Sequence, residues 1–131
     1  MPTTRRWPIL LAIAAVIACP AVDAEERTIV GELVDPATYV KDGRHGPDLA
    51  EQTYEAVAGG QTLAVLEDGT GMLYLLLAEQ PGEDPNELAY DYVSQQVTVR
   101  GAVHERGGLR GIVAASIEPL TAAVQPAAAP D

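Results

Sequence analysis

Thr62 to Ala78, TLAVLEDGTGMLYLLLA, decides the fold. Two apolar runs, 62–67 and 72–78, flank Asp68-Gly69-Thr70-Gly71, an order that reads as strand, tight turn, strand. The second run is apolar on both faces and predicts a central strand covered on both sides. Toward the C-terminus, residues 79–86 (EQPGEDPN) form a loop. Asp84 is a cap candidate with Pro85 in the first turn and Glu87 three residues on, which predicts a short helix to about Tyr92. Gln96 to Val103 (QVTVRGAV) alternates with period two, placing Val97, Val99 and Gly101 on one side of a strand. Gly107-Gly108 marks a second hairpin, and Leu109 to Ile117 (LRGIVAASI) forms the fifth strand. Toward the N-terminus, Gly59-Gly60 close a helix of about ten residues that opens at Pro47 and carries Leu49, Thr53 and Val57 at four-residue spacing. Residues 41–48 (KDGRHGPD) read as a polar loop. Thr28 to Val34 (TIVGELV) is the first strand, with Gly31 inside it and Asp35-Pro36 ending it.

The order is strand, helix, strand, strand, helix, strand, strand. Five strands with a helix between the third and fourth is the order of the OB-fold, a small Greek-key barrel. The expected class is all-β with small helices, a five-stranded OB-like Greek-key barrel. The alternative is an open α+β sheet built from the same strands. Gly31 and Gly101 suit the sharp coiling that a small barrel needs.

The first residues predict where the chain works. Arg5 and Arg6 precede an apolar run from Ile9 to Ala18, and Val22-Asp23-Ala24 offers small residues ahead of Glu25, the layout of a secretory signal over residues 1–24. Pro8 and Pro20 limit the run to about a dozen residues, short of the roughly 20 that span a membrane. Val16-Ile17-Ala18-Cys19 is similar to a bacterial lipobox, so lipidation of Cys19 stands as the alternative to cleavage after Ala24. Both readings predict a periplasmic or cell-envelope protein, touching a membrane only through an N-terminal lipid. Cys19 is the single cysteine, which leaves the domain at 25–118 without a disulfide, a thiolate metal site or a cysteine nucleophile. Residues 119–131 are Ala- and Pro-rich and read as a disordered tail.

There is no Phe, and the one Trp is Trp7, so the core must use Leu, Val, Ile, Ala and Tyr. The formal charge is −11. Beyond residue 24, with Arg5, Arg6 and Asp23 removed, 6 basic and 18 acidic side chains remain. That balance argues against nucleic acid and against anionic lipid, both of which need Lys and Arg stripes. The acidic excess reads first as the solubility of an exported protein, and it could also attract a cation or a basic partner.

Gly31-Glu32-Leu33-Val34-Asp35-Pro36, Tyr39, Gly60, Leu63-Ala64-Val65, Asp68-Gly69, Tyr74-Leu75-Leu76 and Val97-Thr98-Val99-Arg100-Gly101 together resemble a family of small exported bacterial OB-fold-like proteins. The likeness spans about residues 28–118 and is a pattern of strands and turns. Members of that family carry Cys-Tyr, then His-x-x-Cys, then a further Cys before the second strand. The matching positions here hold Thr38, Leu49, Gln52 and Ala56, none of them a soft-metal or redox ligand. The resemblance therefore implies scaffold and compartment and leaves the chemistry open.

Candidate chemistry is sparse. His45 and His104 are the two possible metal or haem ligands, on separate segments with no short ligand spacing. Glu32 and Asp35 are close in sequence, as an acid–base pair would be, yet Asp35 before Pro36 also reads as turn chemistry. Ser94 and Ser116 sit in no nucleophile elbow. Asp42, Asp48, Glu83, Asp84 and Glu87 could offer oxygens to calcium, but no EF-hand loop is present. A ligand face on strands two and three could use Tyr74, with Tyr39 and Tyr54 nearby. The expectation is an exported, non-enzymatic binding or accessory domain of the bacterial cell envelope, without a cofactor, serving another envelope protein or a membrane complex. The alternative is a periplasmic metal- or haem-handling protein.

Overall fold

The computed structural model describes residues 25–120. The predicted signal segment with Cys19, and the tail from residue 121, lie outside them.

Five strands close into a barrel in the order β1-β2-β3-β5-β4, with β4 returning to β1. These are β1 (Glu25–Val34), β2 (Ala64–Glu67), β3 (Leu73–Leu76), β4 (Gln96–Arg106) and β5 (Leu109–Pro119). All neighbours are antiparallel except β3 and β5, which run parallel over Leu75↔Gly111 and Leu76↔Ile112. This is the OB-like barrel, and the open-sheet alternative is set aside.

Two glycines let the sheet close. Gly31 lies opposite Val97 of β4 on one side and Glu67 of β2 on the other. Here β1 leaves one neighbour and joins the next. A Cβ at Gly31 would stand 2.1 Å from the Leu66 carbonyl oxygen. Gly101 sits at a register shift in the β4–β5 ladder, where a Cβ would stand 2.1 Å from the Val113 oxygen. Only a residue without a side chain permits such approaches.

Strand alternation sorts the side chains. Ile29 and Leu33 of β1, Val65 of β2, Tyr74 and Leu76 of β3, Val97 and Val99 of β4 and Ile112 of β5 point inward and are buried together. Ala89 and Val93 join this core from the β3–β4 connection. A second cluster forms on the outer face, where Val34, Ala64 and Leu66 meet Tyr39, Leu73 and Leu75. The two-sided apolarity of 72–78 thus corresponds to Tyr74 and Leu76 inside and half-buried Leu73 and Leu75 outside.

Three connections differ from expectation. Asp35-Pro36 ends β1 but also starts a helix, α1 (Pro36–Asp42), inside what reads as a turn and loop. Asp35 caps it, accepting from the Ala37 amide at 3.0 Å and from the Thr38 hydroxyl at 2.8 Å. Gly43 (φ 69) closes it, its backbone amide donating a hydrogen bond to the Tyr39 carbonyl. Thr38, Tyr39 and Val40 are weak helix formers, so the helix depends on burying Pro36 and Thr38 and packing Tyr39 over the outer cluster. The expected helix from Pro47 begins as a 3-10 turn, Pro47–Leu49, and becomes α2 (Ala50–Ala58). No α-helix forms over 84–92, only turns and a 3-10 segment, Tyr90–Tyr92. There the side chain of Asn86 reaches away, accepting from the Leu63 amide at 2.9 Å and donating to the Gln61 carbonyl at 3.0 Å. Asp84 accepts from the Asn86 amide at 2.9 Å, a local bond that competes with a helical one. At the C-terminal end β5 continues past Ile117, with Pro119 opposite Val97.

Candidate functional site

Two features could serve function: a polar cluster between β1 and the helices, and an open groove between β3 and the β4–β5 hairpin.

The polar cluster grows from the pleat of β1. With Ile29 and Leu33 inward, Glu32 points outward, yet it is only 7% exposed because the loop after α1 folds over it. Its carboxylate accepts from the Gly46 amide at 2.8 Å and lies 3.2 Å from His45 Nδ1. Gly43 (φ 69) and Gly46 (φ 120) supply the backbone conformations that bring the loop back. The His45 ring meets Tyr39 edge-on, with centroids 5.7 Å apart. Nearby, Gln52 donates to Thr38 Oγ1, and Ser94 to Thr53 Oγ1, both at 3.4 Å. Ser94 adopts φ 60, rare for a residue with a side chain.

Glu32 and Asp35, the suspected acid–base pair, thus line one cavity. Its volume is about 10 Å³, room for roughly one water. All four of their carboxylate oxygens hold the loop or the cap. Among the described residues, no buried side-chain nitrogen or oxygen lacks a partner. The arrangement fastens α1 and its loop to the barrel and has no space for a substrate.

The three tyrosines do not converge on one surface. Tyr74 is 1% exposed and turns into the core. Its hydroxyl accepts from Arg27 Nη1 at 3.1 Å, and that bond raises the Arg27 pKa. Tyr39 covers the outer face of β2 and β3, where the sequence placed a ligand, so α1 fills that surface with the protein's own side chain. Tyr54, on α2, donates to the Tyr90 carbonyl at 3.0 Å. His45 and His104 line different cavities. Among the described residues, no group of three or more His, Cys, Asp or Glu is placed to hold a metal ion. No helix among them is long and apolar enough to cross a membrane.

The groove lies on the outer sheet face, with a volume of about 860 Å³. Leu75, Leu77, Ala78, Leu109 and Val113 supply apolar walls, and Glu79, His104, Glu105, Arg106 and Arg110 a polar rim with charges of both signs. Gly111 makes the floor: Leu77 lies where its side chain would be, with Cδ1 2.5 Å from an ideal Cβ. A second depression, of about 270 Å³, shares Leu77, Ala78, Glu79 and Val113 and continues toward Glu83, Asp84 and Glu87. The two form one trough. The sequence carries faint signals of it, in Gly111 within a strand and in Leu109 beside the hairpin turn, 68% exposed.

Comparison with protein-family models, with curated proteins and with solved structures finds no match.

Proposed function

We propose that this protein is an exported binding or accessory domain of the bacterial cell envelope, acting by recognition of another protein. The trough along β3 and β5 carries the reading. It is open, apolar along its floor and large enough for a segment of a partner. By contrast, the polar cluster beneath α1 is closed and its groups are engaged with one another. Interfaces of this kind, an apolar centre within a charged rim, suit protein partners.

Cleavage after Ala24 would leave Glu25, which pairs with Val103, at the mature N-terminus. Intact mass of the mature protein separates an acylated Cys19 from a free Glu25.

A photoreactive amino acid at Leu109, at the trough, and another at Thr70, in the β2–β3 turn, test the binding reading in cells. The expected result is one discrete adduct from position 109 and none from position 70. If position 109 yields no adduct, or both positions give the same smear, the reading fails.

A further inference from the structure

The trough is bordered by a sheet edge. β3 and β5 pair at two positions, and the last shared backbone bond runs from the Leu77 amide to the Ile112 carbonyl at 2.9 Å. Beyond it β3 ends, while β5 continues from Val113 to Pro119 paired with β4 alone. A barrel strand with one unpaired edge can accept another strand. Val113 and Ala114 of this edge line the second depression.

Charge identifies what would fit there. The depression is walled by Glu79, Glu83 and Glu87, all exposed, and none makes an ion pair among the described residues. The nearby hairpin does contain its own pair, Arg110 to Glu105 at 3.5 Å. The carboxylates at the other end of the trough have no such answering cation. Between them lie Leu77, Ala78 and Val113. An occupant must therefore offer backbone to the β5 edge, apolar side chains to the floor and positive charge to the wall.

We infer that the trough receives a short extended segment of a partner protein in which Lys or Arg alternates with Val, Ile or Leu, added as a strand along β5 from Val113. Period-two alternation sets the apolar side chains on the face where Leu77 and Val113 lie and the Lys or Arg side chains on the other. This rests on the reading of the trough as the binding site and names the class of its ligand.

Fluorescence anisotropy tests it with labelled peptides on the purified mature protein. The probes are an alternating Lys-Val hexapeptide, its Glu-Val counterpart, and the Lys-Val peptide N-methylated at its central residues. The Lys-Val peptide should bind saturably, and the other two at least about tenfold more weakly. The double variant Glu83→Lys, Glu87→Lys, both positions exposed, should lower Lys-Val affinity about tenfold, the effect of reversing two surface charges. Circular dichroism of that variant confirms an unchanged fold. Equal binding of the Glu-Val peptide, or indifference to N-methylation or to the double variant, overturns the inference. So does absence of peptide binding while Leu109 still gives its adduct in cells, in which case the site stands and its ligand is of another class. Loss of the adduct sinks the site itself.

Discussion

Replacing Gly31 by Ala should nearly undo the barrel. The added Cβ would lie 2.1 Å from the Leu66 oxygen and 2.7 Å from its carbonyl carbon, both backbone atoms. No rotamer can relieve this, so β1 and β2 must separate by about 1 Å. Hydrogen bonds of about 2.9 Å do not survive such stretching. β1 and β2 share four register pairs, from Gly31↔Glu67 to Val34↔Ala64. Losing the two bonds nearest the clash costs about 2 kcal/mol. Strain and displaced core packing add about 1–3 kcal/mol. The sum, about 3–5 kcal/mol, is a large part of the roughly 5–14 kcal/mol expected for a domain of this size. It corresponds to a fall in Tm of about 12 °C or more. Urea unfolding followed by far-UV circular dichroism measures it, and Gly101→Ala should behave alike. Gly111→Ala is the control, because the three atoms nearest its Cβ all belong to the Leu77 side chain, which can swing into the trough, and none to the backbone. It should cost about 1 kcal/mol. A Gly31→Ala variant within 1 kcal/mol of the parent, or a Gly111→Ala variant equally damaged, would refute the idea that backbone approach closes this sheet.

Three further outcomes are expected. Glu32→Ala removes the acceptor of the Gly46 amide and should cost about 1–3 kcal/mol, while hydrogen exchange at that amide speeds up; unchanged exchange would mean the carboxylate does not hold the loop. Asn86→Ala strands the buried Leu63 amide and should lower stability by about 2–3 kcal/mol in denaturant melts, more than an exposed neighbour such as Glu87→Ala. Tyr90 has its pKa raised from its ordinary 10.0, first by its hydrogen bond to Asp84, so its phenol holds its proton more tightly folded than unfolded. Its contribution to stability is complete below pH 10.0 and is lost as pH rises through the folded value. Absorbance near 295 nm should show a late-titrating phenol that Tyr90→Phe removes, and a titration unaltered by that substitution contradicts the bond.

The candidate residues were less legible than the strands. Tyr74 reads either as a core residue with its hydroxyl at the barrel rim or as a ligand contact, because an aromatic in the middle of an apolar run is ambiguous about face. The register of β3 decides that it turns inward. Glu32 and Asp35 do come together in space, yet their oxygens are committed to Gly46, His45, Ala37 and Thr38. Those partners lie in or after a helix whose residues have little helical preference, so no local signal announces them. The trough is barely legible in the sequence because it joins the end of β3, the tip of a hairpin and a loop that are remote along the chain.

Local information determined the strands, their turns and the glycines at which the sheet bends. Each depends on neighbours along the chain: alternation places side chains on faces, Gly107-Gly108 takes positive φ at the hairpin, and Gly31 and Gly101 leave space for crossing backbone. Tertiary contact alone decided α1 and the diversion of Asn86. It likewise decided which apolar face became core and which became groove. Burial against distant partners outweighs backbone preferences of a fraction of a kcal/mol per residue, and those partners are chosen only once β1 has met both β2 and β4.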